Sequence, residues 1–395
     1  MTLLNQIFDI YIDLNITLAI TAMVWLGAKL LLARSGRKVD FSVQLGLLNG
    51  LFALILLTPF AVMGYQHMLS AEVVPRTLSV NLADYAVSQY LRGGIAIPAE
   101  DFQSLLGLRA QLSEKILTVS TGVGAGIAFA LVAGFSYFAL KLVVGFVRLY
   151  RVLATCHEWR TNGRVQLLLS DRAMVPFSAR GLKRHYVVIP SDLLAEPEDL
   201  KLVLKHEFQH LRQGDVTWEI GLELLRPLFF WNPFFYMWKS EVERLRELAC
   251  DQKVAENAHV DLRSYCMCLL RAAQAGIRKH QDREARKRSV GIAAVALLEV
   301  QDKLLRRSPA QKLRRRVEAL LETNRVRPHW GVTCLAVLPM VAVVFLSALS
   351  IQKPADWSQD RLMLSAIINL ERLETRNGSN GQLQAYNTFA QRPLR

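Results

Sequence analysis

Pro197-Glu-Asp-Leu-Lys-Leu-Val-Leu-Lys-His206-Glu207-Phe-Gln-His210 is the stretch on which the reading of this chain turns. A proline followed by two acids opens a helix well, because proline needs no partner for an N–H there and carboxylates favour the positive end of the helix. Leu200, Val203 and Leu204 then fall on one face. The helix so begun carries His206 and His210 four residues apart, separated by only about 40° around the axis. Two imidazoles on one face can share a single Zn²⁺, and Glu207 beside them can serve as a base toward water. The pentad H-E-x-x-H therefore points to a zinc hydrolase, against the plainer alternative of a surface helix with two solvated histidines.

Such a centre needs a third protein ligand and one open position. Downstream, Glu241-Val-Glu-Arg-Leu-Arg-Glu-Leu-Ala-Cys-Asp251 places Glu243, Glu247 and Asp251 at i, i+4 and i+8, on one helix face. Spacing does not choose between the two glutamates, and Cys250 borders the same face as a weaker thiolate option. Taken alone, the segment also fits an acidic stripe paired with Arg244 and Arg246 on an exposed helix.

The rest of the chain is a membrane protein by composition. Mean hydropathy is +0.20 over 395 residues, and apolar stretches near 15–33, 44–64, 120–148 and 330–350 are each long enough to cross a hydrocarbon core of ~30 Å. Basic residues set the orientation. Residues 1–14 carry none, while the connection after the first stretch has Arg34, Arg37 and Lys38. Residues 149–328 hold 32 basic and 22 acidic residues, most of the chain's net charge of +14. The expected topology is N-out and C-out in a cytoplasmic membrane, with the pentad on the cytoplasmic side. The first apolar run lacks a basic flank and is expected to be an uncleaved span. Cys156, Cys250, Cys266, Cys268 and Cys334 all fall in the cytoplasmic part or the last span, a pattern of reduced, buried thiols rather than disulfides.

Within 149–328, Val165-Gln-Leu-Leu-Leu169 and Tyr186-Val-Val-Ile189 read as short strands joined by a loop, either a substrate-holding edge or a small shielding hairpin. The aromatic stretch Val216–Met237 carries Glu219, Glu223 and Arg226, each costly at mid-bilayer. A helix pair against the inner leaflet or the spans is expected there, not a fifth crossing. Dense charge over 278–288, at Arg306-Arg307 and over Lys312–Arg316 is attributed to positive-inside bias and anionic lipid. Without interleaved aromatics or a recognisable motif, direct nucleic-acid binding is not expected.

The sequence His206-Glu-Phe-Gln-His210-Leu-Arg-Gln-Gly-Asp215, then Trp231-Asn-Pro233, then Arg246-Glu-Leu-Ala-Cys-Asp251 resembles the BlaR/MecR-type membrane metallopeptidases, and more distantly the Ste24/HtpX-type membrane proteases. The resemblance covers about residues 1 to 350. It implies His206, His210 and Glu247 as zinc ligands, Glu207 as general base, and Asp251 as an acceptor orienting a ligand histidine. Asp215 also matches a family position, without a clear role. Sensor members carry a large extracellular penicillin-binding domain with an S-x-x-K nucleophile. Here the tail 353–395 is too short for one, and the bare pattern Ser35-Gly-Arg-Lys38 lies in a cytoplasmic connection, so acylation by β-lactams is not expected. The loop 65–119, with a helix starting near Pro98, is a candidate sensing element or simply packing.

These observations give a mainly α, polytopic membrane protein with four transmembrane helices and a cytoplasmic α+β zinc metallopeptidase domain. Residues 1–64 hold the first two membrane helices, 65–119 an extracytoplasmic loop, and 120–148 the third helix. The peptidase domain follows over 149–328, the fourth helix over 329–352 and a short extracytoplasmic tail over 353–395. The expected function is a zinc endopeptidase in signal transduction, cutting a cytoplasmic regulator, such as a repressor, or itself. Its expected partners are that substrate and membrane lipid, with a homodimer also open to it. The alternatives are a quality-control protease and a non-catalytic receptor. For the oxyanion, Tyr236 or an arginine near 244–246 is a candidate donor.

Overall fold

Long apolar helices make up most of the first third of the chain. The computed structural model describes residues 3–34, 40–71, 82–118, 122–171, 173, 175–181, 183–257, 260–289, 309–322, 330–351, 362–370 and 373. Helices α1 (Leu3–Arg34), α2 (Phe41–Ser70) and α5 (Gly122–Ala154) contain segments long and apolar enough to cross a membrane: Leu4–Leu32, Phe41–Met68 and Gly122–Ala154. Along α5, Phe129, Val132 and Leu140 are more than half exposed, which suits lipid rather than water. The fourth apolar stretch is also helical, α11 (Trp330–Ser350), although only its shorter segment Val337–Ser350 has described side chains. Three described helices thus meet the length and composition of a span, where the sequence led us to expect four. The Ser35–Lys38 connection, Arg306-Arg307 and nearly all of the 353–395 tail lie outside the described residues.

The chain divides into two compact units. One comprises Met1–Thr21, Leu54–Leu131 and Pro339–Arg395. Its loop helices are α3 (Leu82–Leu91) and α4 (Ala99–Leu117), the latter starting directly after Pro98, with Glu100 and Asp101 in its first turn. Val87, Ala99, Phe102, Leu364 and Ile368 form its small core. Arg109 of α4 lies 2.8 Å from Asp13 Oδ1 and donates to the Ile351 carbonyl at 2.8 Å.

The other unit comprises Ala22–Ala53 and Val132–Leu338. A four-stranded sheet runs β1 (His157–Asn162), β2 (Val165–Ser170), β3 (Phe177–Arg180) and β4 (His185–Pro190), in spatial order β1-β2-β4-β3. The two predicted strands correspond to β2 and β4, but they are parallel neighbours rather than a hairpin. The loop between them supplies the edge strand β3, antiparallel to β4. Both missed strands lack a readable alternation: β1 is exposed along its whole length, and β3 has four residues.

After a 3₁₀ turn over Ser191–Ala195 come α6 (Pro197–Gln213), α7 (Asp215–Leu225), α8 (Pro233–Ala255), α9 (Leu262–Ser289) and α10 (Pro309–Leu321). The aromatic stretch 216–237 forms α7 and the start of α8. Asn232 caps α8 by accepting from the Phe234 N–H at 3.0 Å, and Pro233 takes the first helical position. Phe235 and Trp238 are buried against Phe52 of α2, with ring centroids 6.4 and 6.2 Å away. Lys29 of α1 also pairs with Glu241 of α8 at 2.8 Å. The helix that carries Glu247 is therefore packed directly on the apolar helices.

Candidate metal centre

Four helices and one strand converge around the pentad. Helix α6 ends on Gly214, whose φ of 74° lies in the left-handed region that favours glycine. That turn sends the chain straight into α7 and brings Asp215 back onto the helix it has just left. His210 donates its Nδ1–H to Asp215 Oδ2 at 2.8 Å, and Asp215 is buried. His206 is held differently. Its Nδ1 lies 2.9 Å from the Tyr265 hydroxyl of α9, and that hydroxyl donates to Asp251 Oδ1 at 2.8 Å. With its own proton so committed, the Tyr265 oxygen accepts from His206 Nδ1–H.

Both imidazoles are thus held at Nδ1 and turn Nε2 inward, where a neutral ring presents a lone pair. The two Nε2 atoms face each other at 3.1 Å. Glu247 closes the group, with Oε2 3.8 Å from His206 Nε2 and Oε1 3.9 Å from His210 Nε2. Two Nε2 atoms and a carboxylate this close call for a proton or a metal cation among them; burial works against protonation of His210, but Asp215 and the nearby glutamates outweigh it and shift its pKa up, which favours a proton there. For tetrahedral zinc with bonds of about 2.0–2.1 Å, ligand atoms stand roughly 3.3 Å apart, so the donor set fits that ion. Of the glutamates that spacing could not separate, Glu247 is the one near the histidines; Glu243 faces Lys239 at 3.8 Å. Cys250 makes a His206–His210–Cys250 group with donor atoms within 4.8 Å of one another, compatible with a metal. Its Sγ meets His206 at Nδ1, 3.4 Å away, a nitrogen already bonded to Tyr265, and burial pushes the thiol strongly up.

Electrostatics suit this arrangement. Burial drives His206 down to about 4, so it is neutral at pH 7. For Glu247 burial opposes ionisation, but Arg316 and the two histidines hold its carboxyl down at about 2. Glu207 is shifted up by burial, partly offset by Ser178, whose Oγ donates to Glu207 Oε2 at 2.6 Å from strand β3.

Asp251 Oδ1 lies 3.5 Å from His206 Nδ1 and also reaches it through the Tyr265 hydroxyl. It also receives two 2.7 Å hydrogen bonds from Arg316, out of the basic run 312–316 that charge bias alone had seemed to explain. Of the oxyanion candidates, Tyr236 donates to the Phe230 carbonyl and Arg244 to Glu241, so neither serves the site. Arg246 pairs with Glu219 at 2.7 Å and is 3.8 Å from Glu247 Oε1. Ser178, Tyr265 and Arg316 were missed. Nothing local marks the serine or the tyrosine, and the arginine is hidden among identical neighbours.

The group opens into a cavity of about 530 Å³. Phe177 and Ser178 of β3 line one side, Leu269, Ala272 and Ala273 of α9 another, and Glu207 and Arg246 face into it. A peptide-sized ligand entering there would meet an edge strand, a carboxylate base and the convergent donors together.

A protein family described as BlaR1 peptidase M56 matches residues 12–291, which include the pentad, Asp215, Glu247, Asp251 and Tyr265. The regulatory protein BlaR1 of Bacillus licheniformis is 28% identical over 111 residues, 28% of this chain and 18% of that protein's length. The match thus spans less than a fifth of the relative.

Proposed function

The chain belongs to the BlaR1 peptidase M56 family, and we propose that it is a membrane-held zinc endopeptidase that cuts a cytoplasmic regulator or itself. The convergence of two His Nε2 atoms and the Glu247 carboxylate beside Glu207 carries this conclusion. His206, His210 and Glu247 would hold the ion. Bound zinc supplies Lewis acidity, polarising a carbonyl and easing the ionisation of water near neutral pH. Asp215 fixes the His210 tautomer, and Asp251 fixes that of His206 through Tyr265. Glu207, buried and bonded to Ser178, takes the proton from attacking water and hands it to the leaving amine. Arg246, at the cavity wall, is the remaining sequence-named candidate to face the developing oxyanion.

Membrane retention rests on the apolar helices, and a cytoplasmic site, with N-out and C-out topology over four spans, on the excess of basic residues in 149–328. The relative's printed name supports a regulatory role over general protein disposal. The test is cleavage in membranes holding either the wild type or Glu207→Ala, following this chain and a co-expressed candidate repressor. Fragments should form with the wild type and drop by about 10²–10⁴-fold with the variant, while zinc stays bound. Equal fragment yields from both proteins would sink the catalytic assignment.

A further inference from the structure

We propose that Arg316 of α10 is a positioning residue of the metal centre, clamping Glu247 and Asp251 together, so that the working peptidase unit extends past residue 291 to include α10. The inference rests on the metallopeptidase function proposed above.

Arg314, Arg315 and Arg316 are consecutive, so on a helix they point about 100° apart. Arg314 turns outward, 80% exposed, and pairs with Glu318 at 2.6 Å. Arg316 turns inward because the next turn of the same face carries Leu320, buried with Cys250, Val254 and Tyr265. One apolar anchor and one guanidinium thus dock α10 onto α8 and α9.

All three nitrogens of that guanidinium face a carboxylate. Nε and Nη2 each donate to Asp251 at 2.7 Å, in the paired geometry that an arginine fork and a carboxylate share. Nη1, the nitrogen left over, is 3.2 Å from Glu247 Oε2. Glu247 and Asp251 stand one turn apart on α8, so their like charges repel. Asp251 has a side chain only 1% exposed and cannot be screened by water. A single cation between them settles both charges. It engages Glu247 through Oε2, while Oε1 lies toward His210 and Arg246.

The contacts close into a ring: His206 to Tyr265, Tyr265 to Asp251, Asp251 to Arg316, and Arg316 to Glu247, which stands beside His206. Arg316 is thereby the one member outside the stretch matched to the family. It touches Glu247 directly and His206 only by way of Asp251 and Tyr265, without being a ligand, so its effect belongs on the geometry with which the ion is held.

The test uses the full-length chain in lipid nanodiscs, with zinc affinity measured by competition against a chromophoric chelator. Visible absorption of the cobalt-loaded protein and the Tm of the metal-free protein are recorded alongside. Arg316→Met should bind zinc roughly 10–100-fold more weakly, the size expected when a residue behind a ligand is lost, and should alter the cobalt spectrum. Arg316→Lys should keep the charge and the fold but remain weakened, because an ammonium cannot form the fork. Leu320→Ala should lower Tm while leaving zinc affinity within about two-fold, a cost confined to burial. Unchanged or tighter zinc binding in both Arg316 variants would overturn the proposal, as would an equal loss in Leu320→Ala, which would make Arg316 a docking contact alone. Failure of the underlying function looks different: the wild type would not bind zinc, or His206→Ala would bind it as well as the wild type does.

Discussion

At the scale of single residues, the centre is a set of protons placed on the outer sides of two rings. His210 is held by a carboxylate and His206 by a phenol that passes the restraint to a carboxylate. Asp215→Asn keeps an acceptor for Nδ1–H but removes its charge, so zinc affinity should fall about 10–100-fold, with little change in the fold. Tyr265→Phe removes the acceptor of His206 and one donor to Asp251. Zinc affinity should drop by about ten-fold or more. Stability should change by only about 0.5–1.5 kcal/mol, since Asp251 keeps both bonds from Arg316. Chelator competition measures both variants, and binding within two-fold of the wild type would remove the residue concerned from the centre. The histidines and Glu207 were legible because their chemistry is packed into five consecutive residues. Glu247 needed its spacing from Asp251 and a family likeness. Tyr265 and Arg316 were not legible, since they meet Asp251 across 14 and 65 residues and look locally like any helix tyrosine or surface arginine.

At the scale of elements, turns decide which face a helix shows. Gly214 ends α6 and begins α7, and its left-handed backbone is what returns Asp215 to His210. An alanine there is strained by about 1–2 kcal/mol, and any relief of the strain moves Asp215. Asn232 supplies a comparison at the start of α8, where its cap accepts from the Phe234 N–H and is worth about 1 kcal/mol. Gly214→Ala and Asn232→Ala should therefore lower Tm by similar amounts, yet only the first should weaken zinc binding. Parallel losses of affinity would mean that the turn acts through general stability. The signals that opened α6 in the sequence, Pro197 with Glu198 and Asp199, match the helix start observed. The sheet was half read, because β2 and β4 carry apolar runs at Leu167–Leu169 and Val187–Ile189 while the strands flanking them show no period at all.

At the scale of the whole molecule, the charge distribution and the apolar helices make a joint claim that can be tested without any substrate. Every basic-rich described segment lies between α5 and α11, and the loop carrying α4 holds more acids than bases. If that asymmetry sets the orientation, the two ends of α5 face opposite sides of the membrane. Gln103, exposed on α4, and Arg160, exposed on β1, report on those sides. In a background lacking the native cysteines, Gln103→Cys should react with a membrane-impermeant maleimide in intact cells. Arg160→Cys should react only after the membrane is opened. Labelling in the reverse order would turn the cavity lined by Glu207 and Arg246 outward, and the proposed cytoplasmic regulator could then no longer be its substrate. The same experiment bears on Lys29, whose pairing with Glu241 holds α8 beside α1. A snorkelling lysine reaches for the polar side of a span, so the side on which Arg160 reacts should also be the side on which α1 ends and Glu241 of α8 lies.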